Sequence, residues 1–265
     1  MSPDPLVVAV LGLGEAGSAI AADLYAAGAV VRGFDPRVSA GAGVTPCTGD
    51  ADACRGAAVV VSLTCAHEAE GALVAALPAM GRDAIYADLN TASSGLKAHL
   101  AGLAAAAGAR FADVALMAPV PGSGLGTPML AAGPAAQAFA ALFGPLGASV
   151  DVLPGPPGTA AARKLVRSVF YKGLAAAVIE ALRAARAAGC EPWLRDNIRQ
   201  ELASASAATL DRLEQGSVQH ALRRTDEMAA AAEQLRGLGV PPRIATASEQ
   251  WLRQLVEEQA GDGPG

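Results

Sequence analysis

Two patterns of apolar and polar positions divide the chain. Over the first half, short valine-rich apolar runs, "LVVAVLG", "AVVRGF", "AAVVVSL", "AIYADL" and "ASVDVL", alternate with longer alanine-rich stretches that carry scattered polar residues. Runs of this length bounded by turn residues read as strands, the longer stretches as helices, and their alternation as βαβ units around a mainly parallel sheet. "PGPPG", Pro154 to Gly158, ends that rhythm, and from residue 159 to about 259 the sequence is helical with no strand. The expectation is an α/β domain at 1–155 and an all-α domain at 156–265.

The first helix after the break is expected over 159–188. It is almost wholly apolar, so most of its sides should be covered, either at the centre of the second domain or between subunits. Gly189 stands where a C-cap belongs. Further helices are expected over 192–207, 208–213, 217–238 and 241–258, with "AGDGPG" as a frayed tail.

"VLGLGEAGSAIA" follows the first strand and opens the first helix. Gly12, Gly14 and Gly17 in G-x-G-x-x-G spacing give a tight turn, a close approach to a pyrophosphate, and a phosphate site at the positive helix end. Leu13, Glu15 and Ala16 lie within the same turn and share its cofactor contacts. The second strand, "VVRGF", ends beside Asp35, about 20 residues on, where the dinucleotide fingerprint of a Rossmann domain places an acid. The Asp35 carboxylate would accept hydrogen bonds from ribose hydroxyls and repel a 2′-phosphate, which favours NAD. Arg37 pulls the other way, so NADP stays possible. The strand ending in "VSLT" adds Ser62, Leu63 and Thr64 as cofactor neighbours. "DLNT" adds Asn90 toward the nicotinamide ribose, and Thr91, with Ser93, toward a substrate carboxylate.

Composition narrows the partners. With 265 residues, 52% of them hydrophobic, the chain can build a sizeable core. A formal net charge of −5 with scattered basic residues excludes a nucleic-acid or anionic-membrane surface. Charges interrupt the helical stretches before a spanning length is reached. The start, "MSPDPLVVAVLGLG", has no basic leader or cleavage site and reads as a strand, so the cytoplasm is the expected location. Cys47, Cys54, Cys65 and Cys190 form no C-x-x-C pair, and His67, His99 and His220 do not stand at metal-ligand spacing with them, so no metal is expected. The 20 basic residues include only three lysines, Lys97, Lys164 and Lys172, and each asks for a reason.

Four elements in one order, the glycine turn, "DLNT", "MAPVPGS" (117–123) and "GTAAARKLVRS" (158–168), resemble the β-hydroxyacid dehydrogenase family. That family includes 3-hydroxyisobutyrate and 6-phosphogluconate dehydrogenases, and imine reductases are its relatives. The resemblance implies a Rossmann domain, an all-helical C-terminal domain, a long interdomain helix and a cleft between the domains. It also implies a homodimer formed through the C-terminal helices. In the family, a D-A-P-V-S-G-G segment lines the cleft and binds a substrate carboxylate. Here Ala118, Pro119, Val120 and Gly122 agree with it, Met117 replaces the acid, Pro121 the serine, and Ser123 the second glycine. Its rigid backbone offers the N–H groups of Gly122, Ser123 and Gly124 to an anion, so Pro121, Gly122 and Ser123 are taken as substrate-binding.

Lys164, Ser168, Tyr171 and Lys172 recur at i, i+4, i+7 and i+8, one polar face on an apolar helix. The resemblance makes Lys164 the general acid/base, with Ser168 where the family usually has an asparagine. A lysine in an apolar cleft near Lys172, Arg163 or Arg167 would titrate closer to neutrality and would stabilise a developing alkoxide. Lys172 is taken as substrate-binding. The run "PGPPGTAAARKL…FYKG" is similar to a 6-phosphogluconate-dehydrogenase-like branch whose C-terminal domain has no assigned function. Hydride transfer between nicotinamide and a small anionic β-hydroxyacid, or the matching oxo compound, is therefore expected. An imine reductase and a non-catalytic NAD(H)-binding sensor or scaffold are the alternatives. On the last helices, "RRTDEM" with Arg223, Arg224 and Asp226 reads as a solvated ion-paired face.

Overall fold

The computed structural model describes residues 5–261; the first four residues and the end of the tail, 262–265, lie outside the described residues. One sheet is built from β1 (Val7–Leu11), β2 (Val30–Phe34), β3 (Val44–Pro46), β4 (Val59–Ser62), β5 (Ile85–Asp88), β6 (Arg110–Leu116), β7 (Met129–Ala132) and β8 (Val150–Val152). Its order is β3-β2-β1-β4-β5-β6-β7-β8, and all pairs are parallel except β6–β7. Between the strands run α1 (Glu15–Ala26), α2 (Asp50–Cys54), α3 (Ala69–Ala76), α4 (Ser94–Ala106) and α5 (Ala136–Phe143). This is the doubly wound Rossmann arrangement that the alternating pattern predicts. The five runs quoted from the sequence leave out three of these strands, β3, β6 and β7. β3 is three residues ending in proline at the sheet edge, and β7, "MLAA", has no β-branched residue.

Strand alternation splits the core into two layers. Val8 and Val10 of β1 pack with Ile20 and Leu24 of α1 and Phe139 of α5, whereas Ala9 and Leu11 pack with Leu73 of α3 and Leu100 of α4. Each fully buried leucine or phenylalanine contributes about 1.5–3 kcal/mol. The chain order reverses between β1 and β4, so a crevice opens beyond their carboxyl ends, where such sheets bind ligands.

The helical part holds α6 (Thr159–Ala187), α7 (Glu191–Ala203), α8 (Ala207–Gln219), α9 (Ala221–Gly237) and α10 (Arg243–Gly261). The helix expected over 192–207 stops at Ala203, because Ser206 and Thr209 form a capping box that starts α8 afresh. α8 then runs past Gly216 instead of stopping at 213, and His220 separates it from α9. Glu180 of α6 accepts hydrogen bonds from the Ile244 and Ala245 N–H groups at 2.8 and 2.9 Å and caps α10.

By its packing the chain divides into two units between Arg167 and Ser168, inside α6. The composition break lies earlier, at Pro154, because the first turns of α6 pack with the sheet: Ala160 and Ala161 are buried there. The expected burial of α6 on most sides is not met within one chain. Val166 and Val169 are 73% and 77% exposed, and Phe170 and Tyr171 are exposed beside them.

Candidate dinucleotide site

The three glycines of the turn after β1 do different work. Gly12 has φ +91°, and a Cβ on it would lie 2.4 Å from the Leu63 carbonyl oxygen beyond β4. A Cβ on Gly17 would lie 1.9 Å from the Gly12 carbonyl oxygen. Both are glycine because backbone fills the space. Around Gly14 there is open space within 4 Å, and Gly14 begins α1 with no side-chain cap. A bare helix start facing open room, held by two close-packed glycines, fits a pyrophosphate. Glu15 is exposed on the first turn, Ala16 is half-buried and Leu13 is buried.

Asp35 anchors this turn. Its Oδ2 accepts the Leu13 N–H at 2.8 Å, and its Oδ1 accepts those of Arg37 and Val38 at 2.8 and 3.0 Å. Burial pushes the carboxyl up, but these three N–H groups and the Arg37 charge together hold it below its ordinary value. With Leu13, Arg37, Val38 and Cys47 it lines a hollow of about 400 Å3 beside the glycine turn. The Arg37 side chain is exposed and pairs with Glu68 at 3.6 Å.

At the ends of β4 and β5 the polar residues turn toward each other. Asn90 is buried, and its amide donates to Asp88 Oδ1 at 2.5 Å, Ser62 Oγ at 3.1 Å and Thr64 Oγ1 at 3.4 Å. Its NH2 group is thus engaged inside the sheet edge rather than offered to a ribose. Thr91 is exposed beside it, whereas Ser93 caps α4, accepting the Leu96 N–H at 3.2 Å.

The segment 117–127 needs a correction. The N–H groups of Ser123 and Gly124 both donate to the Val120 carbonyl, at 3.0 and 2.8 Å, so neither is offered to an anion as expected. The turn is closed on itself and docked on α1: Asp23 accepts the Leu125 N–H at 2.7 Å, and a Cβ on Gly124 would lie 1.8 Å from that carboxylate. Pro121, Gly122 and Ser123 are exposed on its outer side. β6 carries an acid at Asp113, four residues before Met117.

Sequence reasoning left Lys97 unexplained and missed Asp88 and Asp113. Lys97 is fully buried, donates to the Asp88 carbonyl at 2.6 Å, and lies 3.0 Å from Asp88 Oδ2 and 3.4 Å from Asp113 Oδ1. Asp113 Oδ2 accepts the N–H groups of Gly158, Ala160 and Ala161 at 2.9, 3.0 and 3.2 Å, which fastens the start of α6 to β6. From there α6 runs unbroken, so helical geometry keeps Lys164, Ser168, Tyr171 and Lys172 on one side of it. Lys164 and Ser168 are half-buried, Tyr171 and Lys172 exposed.

Cys65 Sγ lies 3.3 Å from His67 Nδ1 and 3.1 Å from Glu68 Oε2, so C-x-H-E gathers donor atoms that could hold a metal ion. The Glu68 hydrogen bond pushes the Cys65 thiol up. On α9, Arg223 pairs with Glu227 and Asp226 is exposed, in line with a solvated face, whereas Arg224 is half-buried and donates to Ser217 Oγ at 2.7 Å.

The family model for the NAD binding domain of 6-phosphogluconate dehydrogenase matches residues 7–152. The chain belongs to that family. A model described only as a domain of unknown function matches residues 185–255 of this NAD(P)-binding, dehydrogenase/reductase-type chain. No curated protein matches it. Among solved structures, a conserved hypothetical protein from Sinorhizobium meliloti 1021 is 29% identical, with 94% of this chain and 87% of that one covered and a TM-score of 0.61. A conserved protein of unknown function, MTH1747, described as similar to 3-hydroxyacid dehydrogenases, is 26% identical, with coverage of 96% and 98% and a TM-score of 0.60. The imine reductase from Myxococcus stipitatus, solved with NADP+, is 18% identical over 95% and 94% of the chains with a TM-score of 0.78, and so shares the fold. A variant of that enzyme was solved with NAD+. Among the described residues, no helix is long and apolar enough to cross a membrane.

Proposed function

We propose that the protein is an NAD(P)-dependent oxidoreductase that moves hydride between nicotinamide and a small anionic β-hydroxyacid or the matching oxo compound. The observation that carries this reading is the contrast among the glycines: Gly12 and Gly17 closed by backbone, Gly14 open at an uncapped helix start, with Asp35 pinned beside them. Gly12, Leu13, Gly14, Glu15, Ala16 and Gly17 hold the pyrophosphate. Asp35 takes the adenosine ribose and favours NAD, while Arg37, tied to Glu68, is the residue through which NADP could enter. Leu63, Thr64 and Asn90 border the dinucleotide.

When bound, the dinucleotide gives or accepts the hydride. The chain's own residues handle the proton. In the reducing direction the Lys164 ammonium donates to the oxygen of the substrate carbonyl as hydride reaches its carbon, and the amine left behind regains a proton from solvent; oxidation reverses both steps. Ser168 orients the lysine. Thr91, Pro121, Gly122, Ser123 and Lys172 hold the anionic end, with Gly122 left to act alone among the loop amides. Two copies pair through the apolar side chains that α6 exposes in one chain, which supports a homodimer. Four free cysteines accord with a cytoplasmic setting.

An imine is the second substrate class, supported by the shared fold with an imine reductase, though a lysine at the proton-donor place argues for a carbonyl. The test is oxidation of NADH, and of NADPH in parallel, against 3-oxo acids, semialdehydes and cyclic imines. Turnover of an oxo acid or semialdehyde that falls about 10²–10⁴-fold in Lys164→Ala, with dinucleotide binding intact, is expected. Turnover of imines alone favours the second reading. Undiminished turnover in the variant removes Lys164 from the chemistry, and tight binding without turnover across the panel favours a sensor or scaffold.

A further inference from the structure

The charged side chains that are fully buried among the described residues are three, Asp88, Lys97 and Asp113, and they touch one another. Asp88 and Asp113 are register partners on neighbouring strands, so two carboxylates come side by side in a dry interior. Like charges so placed repel strongly at low dielectric, and neither is tolerated without compensation. Lys97 reaches both from α4. Its contact with the Asp88 carbonyl is short and direct, and its ammonium sits between the two carboxylates.

What this arrangement leaves free is Asp113 Oδ2, which takes the three N–H groups at the start of α6. An ionised acceptor there answers the unpaired amides and the positive end of a long helix. Lys164 follows Ala160 by one helical turn, so these bonds set where its backbone stands relative to the sheet. Gly158 completes the junction: at φ +101° its missing Cβ would lie 2.7 Å from the Ser94 carbonyl oxygen of α4. The same helix, α4, thus supplies both the close-packed backbone and the lysine.

We infer that Lys97 is a positioning residue for Lys164. By setting its positive charge between the Asp88 and Asp113 carboxylates it keeps Asp113 aimed at the α6 amides, and so fixes the first turn of the helix that carries the proton donor. This rests on the role proposed above for Lys164.

The test uses the full chain and compares Lys97→Met, the double variant Lys97→Met with Asp88→Asn, and Lys164→Ala. Hydrogen exchange is followed at the Gly158, Ala160 and Ala161 amides and at the β1 and β4 amides, with kcat and KM measured on the substrate that the panel identifies. In Lys97→Met, exchange at the α6 amides should rise about ten-fold or more while the β1 and β4 amides keep their protection. There kcat should fall about ten-fold with the KM for NADH held within about two-fold. Removing the Asp88 charge as well should restore both, because Asp113 is then no longer opposed. Unchanged α6 exchange in a folded Lys97→Met, or loss of protection spread evenly through the sheet, overturns the inference. If the single variant does not fold, the double one decides: wild-type protection at the α6 amides supports the inference, and lost protection overturns it. Full turnover by Lys164→Ala would instead overturn the role of Lys164, a result that the exchange data cannot produce.

Discussion

The sheet unit and the helical unit solve the problem of apolar surface in opposite ways. In the sheet unit both faces of β1 are covered, Gly12 and Gly17 of the turn are locked by backbone contact, and three charges are fully buried with partners. In the helical unit α7 and α8 contain no buried residue, while Trp193, Leu202, Leu210 and Trp251 are exposed. Soluble chains seldom leave so much apolar side chain uncovered without a partner surface. The contrast teaches that the sheet unit covers its own apolar surface, whereas the helical unit leaves much of its own exposed, which is the ground for the pairing proposed above.

The heaviest blow to the sheet unit is Lys97→Met. It leaves two neighbouring carboxylates buried without their counter-charge, and the cost should fall on the start of α6, where amide exchange rises about ten-fold or more while the β1 and β4 amides keep their protection. Next comes the pair Gly12→Ala and Gly14→Ala. The first forces a side chain into positive φ against the Leu63 carbonyl and should cost about 1–3 kcal/mol as well as NADH binding. Gly14→Ala meets nothing in the protein, so stability should stay within about 0.5 kcal/mol while NADH affinity drops about ten-fold, read by fluorescence titration. Equal effects from the two would remove the distinction between locked and open glycines.

On the helical side, Val169→Asp should leave the melting temperature of a single copy nearly unchanged and convert a dimer to single chains in sedimentation velocity. A wild-type protein that already sediments as one chain would sink the proposed pairing. The smallest effect belongs to Glu191. Hydrogen bonds from Arg186 first and Arg195 second hold its carboxyl down from 4.5 to about 2. Its folded value lies below its unfolded one, so the associated stabilisation is complete above about pH 4.5 and fades as the pH falls toward 2. The pair is solvent-accessible, so that contribution is small. Arg186→Ala should return the carboxyl toward its ordinary value in a carbon NMR titration.

Much of the sheet unit was legible because its rules are local. Valine runs, glycine spacing and the acid after β2 each carry a physical reason within a few residues. What escaped depends on distant partners. Asp113 sits in the apolar strand "RFADVAL" and takes its meaning from amides 45 to 48 residues later, which no periodicity reveals. Lysine scarcity did flag Lys97, but only the register of β5 and β6 shows two carboxylates waiting for it. The amides of Ser123 and Gly124 read as donors in the sequence, yet the chain folds them back on Val120. In the helical unit, the helix expected to end at 213 runs on through Gly216 to Gln219, whereas the Ser206 and Thr209 capping box, four residues long, set a boundary that composition hid.

The most direct test of the dinucleotide reading is a pair of fluorescence titrations, NADH and NADPH, on the wild type and on Asp35→Ala. The wild type should bind NADH about ten-fold or more tightly over NADPH, and Asp35→Ala should erase that preference by removing the ribose acceptor and the repulsion of a 2′-phosphate. A wild type that binds neither dinucleotide, or an Asp35→Ala variant that keeps the preference intact, would contradict the account.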